Sequence, residues 1–333
     1  MHPMRALLVS CAVAPALLLL YAAPQERSNE ASGQVQRVAS MHLPNLVQVH
    51  PRVLSGGLPR GDDAFAELRD RGVKTVISVD GARPDAATAE KFGIRYVHLP
   101  HGYDGVPDHR VWELAKAVCT LEGPIYIHCH HGKHRSPAAV AAACVAVGLL
   151  PGSDAVSVLK LAGTNPHYRG LYEAARGAER LDPSALANLK VEFRSAVDVA
   201  PMAQAMVAIE HTHDRLKAFA AAEWQAPRDQ PDLDAAHEAL LLREHFTELL
   251  RTDAVLHESD EFRSLLRESE LASEGLERAL RSGDRAASSS KESPTDPSPQ
   301  EGPAGAAGDF LARITAHCQT CHLQFRDVAR VRK

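Results

Sequence analysis

Cys129 sits in the run Ile125-Tyr-Ile-His-Cys-His-His-Gly-Lys-His-Arg-Ser-Pro137, where one thiol is crowded by histidines, a lysine and an arginine. A cysteine attacks as its thiolate, so a nucleophilic Cys129 needs positive charge close by. The apolar residues before it predict a buried strand, and the alanine-rich run after Ser136 predicts a helix. A loop at that junction receives the free N–H groups and the positive dipole end of the helix, and successive amides can form a concave nest for an oxyanion. Gly132 allows backbone angles closed to other residues. Arg135 offers a planar fork that fits two phosphate oxygens. Together these imply in-line attack of Cys129 on the phosphorus of a phosphate monoester. Arg135 and the loop amides would hold the equatorial oxygens, and Ser136 would hydrogen-bond the sulfur as it leaves. His128 is expected to orient the loop. His130, His131, Gly132, Lys133 and His134 would line the substrate side and make it basic, more so below pH 7. A zinc site of Cys129 with His128, His130, His131 and His134 is disfavoured, because neighbours in one tight turn rarely converge on an ion. A plain buried cysteine is disfavoured by the coincidence of strand, Cys-x5-Arg and helix start.

A second cluster lies near the C-terminus, in His317-Cys-Gln-Thr-Cys-His322. Cys-x-x-Cys-His is the attachment pattern of a c-type haem. On a helix, Cys318 and Cys321 share a face and could reach two vinyl groups, with His322 as an axial ligand to iron. A dithiol–disulfide pair or half of a zinc site is the alternative. No second Cys-x-x-Cys completes such a zinc site.

The elements that must position these groups fall into two patterns. From Val47 to about Ala178, short apolar runs at 74–79, 94–99 and 124–128 alternate with helical stretches at 62–71, 112–119, 137–150, 154–162 and 170–176. This predicts an α/β domain over 46–180, with a central mixed or parallel sheet flanked by helices. Beyond Leu181 no strand signal is present through Leu280. Met202, Met206, Ile209, His213 and Leu216 share one helical face; Leu242, Phe246 and Leu249 share another; Phe262, Leu265, Ala272, Leu276 and Leu280 a third; Leu311, Ile314, Cys318, Cys321 and Phe325 a fourth. An all-α four-helix-bundle domain over 185–333 is expected, with a Pro/Ser-rich flexible insertion at 285–307. The first residues combine a basic start, an apolar run and small residues, so 1–23 is expected to be a signal peptide or membrane anchor and 24–45 a tether. Leu8-Val-Ser-Cys11 also reads as an early lipoprotein cleavage box. Each reading places the remainder outside the cytoplasm, in the periplasm or facing it. The chain has 333 residues and a net charge of -5, which argues against nucleic acid as a partner. Its six cysteines lack the dense spacing of a disulfide scaffold.

His128-Cys-His-His-Gly-Lys-His-Arg-Ser136 resembles the His-Cys-x-x-Gly-x-x-Arg-Ser/Thr signature of cysteine-dependent protein tyrosine and dual-specificity phosphatases, over about residues 45–180. The resemblance implies phosphate monoester hydrolysis through a phosphocysteine, with no cofactor needed for that reaction. A general acid is then required. Tyr103-Asp-Gly-Val-Pro107 resembles the acid loop of the regenerating-liver type and points to Asp104; Pro107-Asp108 resembles part of the Trp-Pro-Asp loop and points to Asp108, which also suits a helix N-cap. Asp104 is preferred. Gly102 and Gly105 would let this loop close over substrate. Cys-Gln-Thr-Cys-His-Leu-Gln-Phe-Arg326 resembles the C-terminal motif of the cytochrome c-prime family, over roughly 185–330. That implies covalent haem c on Cys318 and Cys321, His322 as axial ligand and Met206 as distal neighbour or sixth ligand, although the methionines equally suit core packing. The substrate would be a phosphorylated protein, lipid or small molecule. The haem would sense redox state or gas or carry electrons to a redox partner, and the N-terminus would contact a membrane if retained as an anchor. A competing expectation is a haem electron-transfer or gas-binding protein whose phosphatase-like domain only binds phosphorylated ligands.

Overall fold

The computed structural model describes residues 35–227, 230–289 and 303–327, with side chains at 284–289 and 303–304 left out. The signal or anchor expectation at 1–23, and the tether up to residue 34, lie outside the described residues. The described residues all fall within one compact unit. No described helix is long and apolar enough to cross a membrane.

The sheet is built from β1 (Gln36–Arg37), β2 (Val47–His50), β3 (Val53–Gly56), β4 (Thr75–Ser78), β5 (Arg95–His98) and β6 (Ile125–His128). Their order is β1-β2-β3-β6-β4-β5. The first three pair antiparallel; β3, β6, β4 and β5 run parallel, so the sheet is mixed as expected. β6 is central, with Ile125 opposite both Val53 and Thr75. A strand flanked on both edges and covered on both faces should read as a nearly continuous buried run, and all four residues of β6 are buried.

Alternation along the strands sorts the two faces. Ile77, Val97, Ile125 and Ile127 face one core, and Val76, Tyr96 and Tyr126 face the other. The second core is closed by α1 (Gly61–Asp70) and α2 (Ala86–Lys91). The first is closed by α3 (Asp108–Thr120), α4 (Arg135–Val147), α5 (Ala155–Ala162) and α6 (Arg169–Arg176). All of α4 except Val147 is buried, as its uniform alanine content requires.

Three expectations need correction. The tether does not run to residue 45, because β1 joins the sheet edge and Leu43 is buried in the second core. The 137–150 helix begins instead at Arg135, so Arg135 and Ser136 form its first turn and Pro137 follows within it, where its missing N–H costs nothing. Asp108 is not an N-cap: Pro107 holds that place and Asp108 is the first residue of α3.

α7 (Pro183–Asn188) and the chain after it stay with the α/β part. Lys116 Nζ donates to the Leu186 and Ala187 carbonyls at 3.0 and 2.8 Å, and His98 N–H donates to the Arg194 carbonyl at 2.9 Å. The remaining described elements are α8 (Pro201–Ala221), α9 (Ala235–Leu250), α10 (Asp253–Leu256), α11 (Asp260–Ser289), α12 (Pro303–Cys321) and a π-helical turn at His322–Arg326. α11 lies along both α9 and α12, and α8 packs on α9. Their core holds Ile209, Leu216, Leu242, Phe246, Leu276, Ile314 and Cys321. Phe262, Ala272, Leu276 and Leu280 of α11 are buried as expected, but Leu266 takes the place expected for Leu265, which is only partly covered. Gly275 lets α11 and α12 approach closely, since a Cβ there would overlap the Phe310 ring. The flexible insertion expected at 285–307 is helical at both ends, 285–289 and 303–307; residues 290–302 lie outside the described residues.

Candidate active site

The loop 129–134 leaves the C-terminal end of β6 and enters α4, beyond the ends of the parallel strands, where open α/β sheets place ligands. Three neighbours hold its carbonyls on the outer side. Leu58 N–H donates to the His130 carbonyl at 3.0 Å, Asn45 Nδ2 to that of His131 at 2.8 Å and Thr164 Oγ1 to that of Lys133 at 2.5 Å. With those carbonyls turned out, the N–H groups after Cys129 are left for the concave side, while that of Cys129 donates to the Gly56 carbonyl at 3.4 Å. Gly132 has φ of 70°, and a Cβ there would overlap the backbone of Gly56 and Gly57. The loop therefore crosses β3 too closely for any side chain at this position.

Cys129 is buried, and its Sγ lies 3.4 Å from Ser136 Oγ. Ser136 also donates to the Gly56 carbonyl at 3.0 Å. The hydroxyl has one proton, so while it points at Gly56 the thiol S–H can donate to its oxygen; against a thiolate the same proton can turn to the sulfur.

Arg135 is buried and its guanidinium is held on two sides. Nη2 donates to Asp80 Oδ2 at 3.0 Å, and the plane lies 4.4 Å from the Tyr103 ring centroid. Its Nε is buried with no protein partner among the described residues. A donor in that state calls for an acceptor from outside, which a phosphate oxygen supplies. Burial pushes the Asp80 carboxyl up, but the Arg135 guanidinium and the Ala82 N–H outweigh it and hold it at about 2. Asp80 was not among the sequence candidates; it follows β4 and meets Arg135 only through the fold. His98 fixes Asp80 from behind. Its Nδ1 accepts from Val197 N–H at 3.1 Å, so its Nε2 carries the proton and donates to the Asp80 carbonyl at 2.8 Å.

His128 is fully buried, with Nε2 2.5 Å from the Tyr96 hydroxyl. Burial brings its pKa down to about 4. Lys133 faces solvent, whereas His134 packs on Tyr168 with ring centroids 4.5 Å apart. Burial first, then the His131 and Arg135 charges, bring His134 down to about 4. The expectation that His134 adds positive charge below pH 7 is thereby corrected. His101 is likewise pushed to about 4 by burial. These three histidines ordinarily titrate at 6.5. As pH falls below 6.5 the unfolded chain takes up protons that the folded chain refuses, so these rings lower stability between pH 6.5 and 4, and Asp80, held at about 2, extends the loss below that. Each histidine contributes on the order of 3 kcal/mol to that loss. The urea midpoint is expected to fall steeply from pH 7 to 4.5, and an unchanged midpoint would contradict the buried neutral rings.

The two acid candidates are placed differently. Asp104 is half-buried in the loop that carries Tyr103 onto Arg135, and its side chain folds back over Gly102. Asp108 is exposed at the start of α3.

The helical part reaches this same region. His130 is buried and its Nε2 lies 2.8 Å from Asp214 Oδ2 on α8, with the His211 ring stacked at 5.0 Å. His131 Nε2 is 3.5 Å from Glu210 Oε1. Both loop histidines are thus engaged by α8. Arg326 lies 4.0 Å over the Tyr103 ring and donates to the Tyr168 hydroxyl at 3.2 Å. Tyr103 therefore stacks with two guanidinium groups, one from α4 and one from the turn after His322.

Cys318 and Cys321 are free thiols, and both belong to the helical core or pack against it, together with Met202, Met206 and Phe325. Burial pushes each thiol up to about 11. His322 is brought down to about 3 by burial, then by the Arg326 charge, and its ring makes no side-chain hydrogen bond among the described residues.

No protein-family description matches the chain, and no curated protein does. Among solved structures, the chain is similar to P. aeruginosa TpbA at 26% identity, over 46% of this chain and 92% of that one, with a TM-score of 0.39. A TpbA variant in complex with pTyr gives 25% identity, 46% and 96% coverage and a TM-score of 0.39. The core catalytic domain of the PP-IP phosphatase SIW14 from S. cerevisiae gives 15% identity, 42% and 89% coverage and a TM-score of 0.38.

Proposed function

We propose that this chain is a cysteine-dependent phosphatase of the protein tyrosine or dual-specificity type, exported from the cytoplasm, with a four-helix-bundle domain that carries covalent haem c. The observation that carries the phosphatase reading is the buried Arg135 fork, clamped by Asp80 with its Nε unpartnered, at the helix start that follows Cys129.

The reaction runs in two displacements. The phosphate dianion enters the concave loop and its equatorial oxygens accept from loop amides and Arg135. Cys129 Sγ attacks phosphorus as thiolate; the S–P bond forms, the bond to the leaving oxygen breaks, and Asp104 protonates that oxygen. Asp104, now carboxylate, takes a proton from water as the water attacks phosphorus. The S–P bond breaks, the electron pair returns to sulfur and inorganic phosphate leaves. Ser136, at 3.4 Å, turns its hydroxyl proton to hydrogen-bond the departing thiolate. His128 holds the loop through Tyr96 and takes no part in proton transfer.

The C-terminal set fits haem c. Two free thiols lie three residues apart on one helix, and the half-buried imidazole after them is unengaged by side-chain hydrogen bonds among the described residues. Cys318 and Cys321 would hold the haem covalently, His322 would ligate its iron, and Met206 would be its neighbour or a further ligand. The haem would supply a one-electron couple or a gas-binding iron. The turn that carries His322 continues to Arg326, which lies on Tyr103, and this contact is the physical route by which the haem end would bias the acid loop.

The test is a phosphatase assay over aryl phosphate, phosphopeptide, phosphoinositide and inositol polyphosphate substrates, using protein matured in an exporting host, with the haem oxidised and then reduced. Metal-independent turnover of at least one class is expected, with a chromophore that survives acid extraction. No turnover of any class would overturn the phosphatase reading, and a colourless protein the haem reading.

A further inference from the structure

Three ligand atoms from two separate elements converge beside the loop: one each from His130, His131 and Asp214 lie within 4.8 Å of one another. Asp214 Oδ2 is 2.8 Å from His130 Nε2 and 3.8 Å from His131 Nε2. Glu210 Oε1, one turn earlier on α8, is 3.5 Å from the same His131 nitrogen. Zinc bonds to nitrogen and oxygen are about 2.0–2.2 Å, so tetrahedral ligand atoms sit roughly 3.3–3.5 Å apart. The separations of 2.8 and 3.8 Å within the group bracket that edge.

We propose that His130, His131 and Asp214 form a binding site for a divalent transition-metal ion of the zinc type, at the junction of the loop and α8, with Glu210 beside His131 at its edge. Two imidazoles with a carboxylate select such ions over magnesium or calcium, which prefer all-oxygen shells. The site has a closed and an open side: the His130 side chain is 3% exposed and that of His131 is 42% exposed, so an ion enters past His131. Lys217 pairs with the other oxygen of Asp214, which steadies the carboxylate and leaves Oδ2 for the histidines. On binding, His130 gives up its hydrogen bond to Asp214, and each imidazole presents an unprotonated nitrogen to the ion. The sequence disfavoured a zinc site made of the loop alone. The fold alters that judgement because α8 supplies the Asp214 carboxylate.

The site needs neither the phosphatase chemistry nor the haem, and its test reads binding directly. Full-length protein with haem attached is dialysed against zinc at micromolar concentrations, and bound zinc is counted by elemental analysis, with magnesium in excess. The wild type is expected to hold one more zinc per chain than His131→Ala or Asp214→Ala, and its melting temperature to rise with zinc concentration while theirs do not. Loss of either ligand should weaken binding at least about 10-fold. Should Asp214→Ala fail to fold, Asp214→Asn keeps the shape of the side chain and still weakens the site. Cys129→Ser should retain the ion. Equal zinc content and affinity in the wild type and the ligand variants, no bound zinc at all, or loss confined to Cys129→Ser would each overturn the site.

Discussion

Cys129→Ser is expected to reduce aryl phosphate hydrolysis by at least about 10³-fold, while inorganic phosphate still binds as a competitive inhibitor would. The hydroxyl is far harder to ionise than a thiol and makes a poorer leaving group in the second displacement, so both halves of the reaction fail. Little else should change. The side chain is buried, oxygen is smaller than sulfur, and the new hydroxyl can still meet Ser136. The cradle is made by Gly132, the outward-held carbonyls and Arg135, none of which the substitution touches. Steady-state assay gives the rate, and equilibrium binding of a phosphorylated ligand to the variant gives the cradle. Residual turnover within tenfold of the wild type would refute a nucleophilic role for this sulfur.

Asp80→Ala should be the most damaging change outside the loop. It leaves the Arg135 guanidinium buried without its carboxylate, and breaking a buried pair from one side costs about 3–5 kcal/mol. For a chain of this size the melting temperature should fall on the order of 10 °C. Turnover should fall too, by at least about tenfold, because the fork loses the partner that aims it. Removing the carboxylate also frees the Ala82 N–H, while the hydrogen bond from His98 to the Asp80 carbonyl stays in place. Thermal unfolding and kcat/KM on the purified variant check both effects. A variant as stable and as active as the wild type would show that Arg135 needs no such support.

The chemistry-bearing residues were the legible part of the site. Cys129, Arg135 and Ser136 lie within one strand–loop–helix junction, so their spacing alone brings them together, and the mixed sheet with covering helices follows from the alternation of apolar runs. Asp80 was invisible because nothing local marks it; it matters only after β4 is laid beside β6. The same holds for Tyr103, Asp214, Glu210 and Arg326, whose partners are distant in the chain and meet through packing of α8 and the last turn on the loop. The charge of the loop was misjudged for a related reason. Histidine reads as a proton acceptor in a sequence, but burial of His128 and His134 decides otherwise, and sequence does not display burial of single rings. The β1–β3 edge escaped notice because β1 has only two residues and the turn at Pro51–Arg52 breaks β2 from β3, so no single apolar run stands out.

The stacking of Arg326 on Tyr103 has a consequence in time. During synthesis the nucleophile, the fork and the acid loop leave the ribosome well before the guanidinium that completes their aromatic stack. Until the turn that carries Arg326 docks, that ring has only one of its two cationic neighbours, so the packing around Tyr103 is completed only after the helical part has been made.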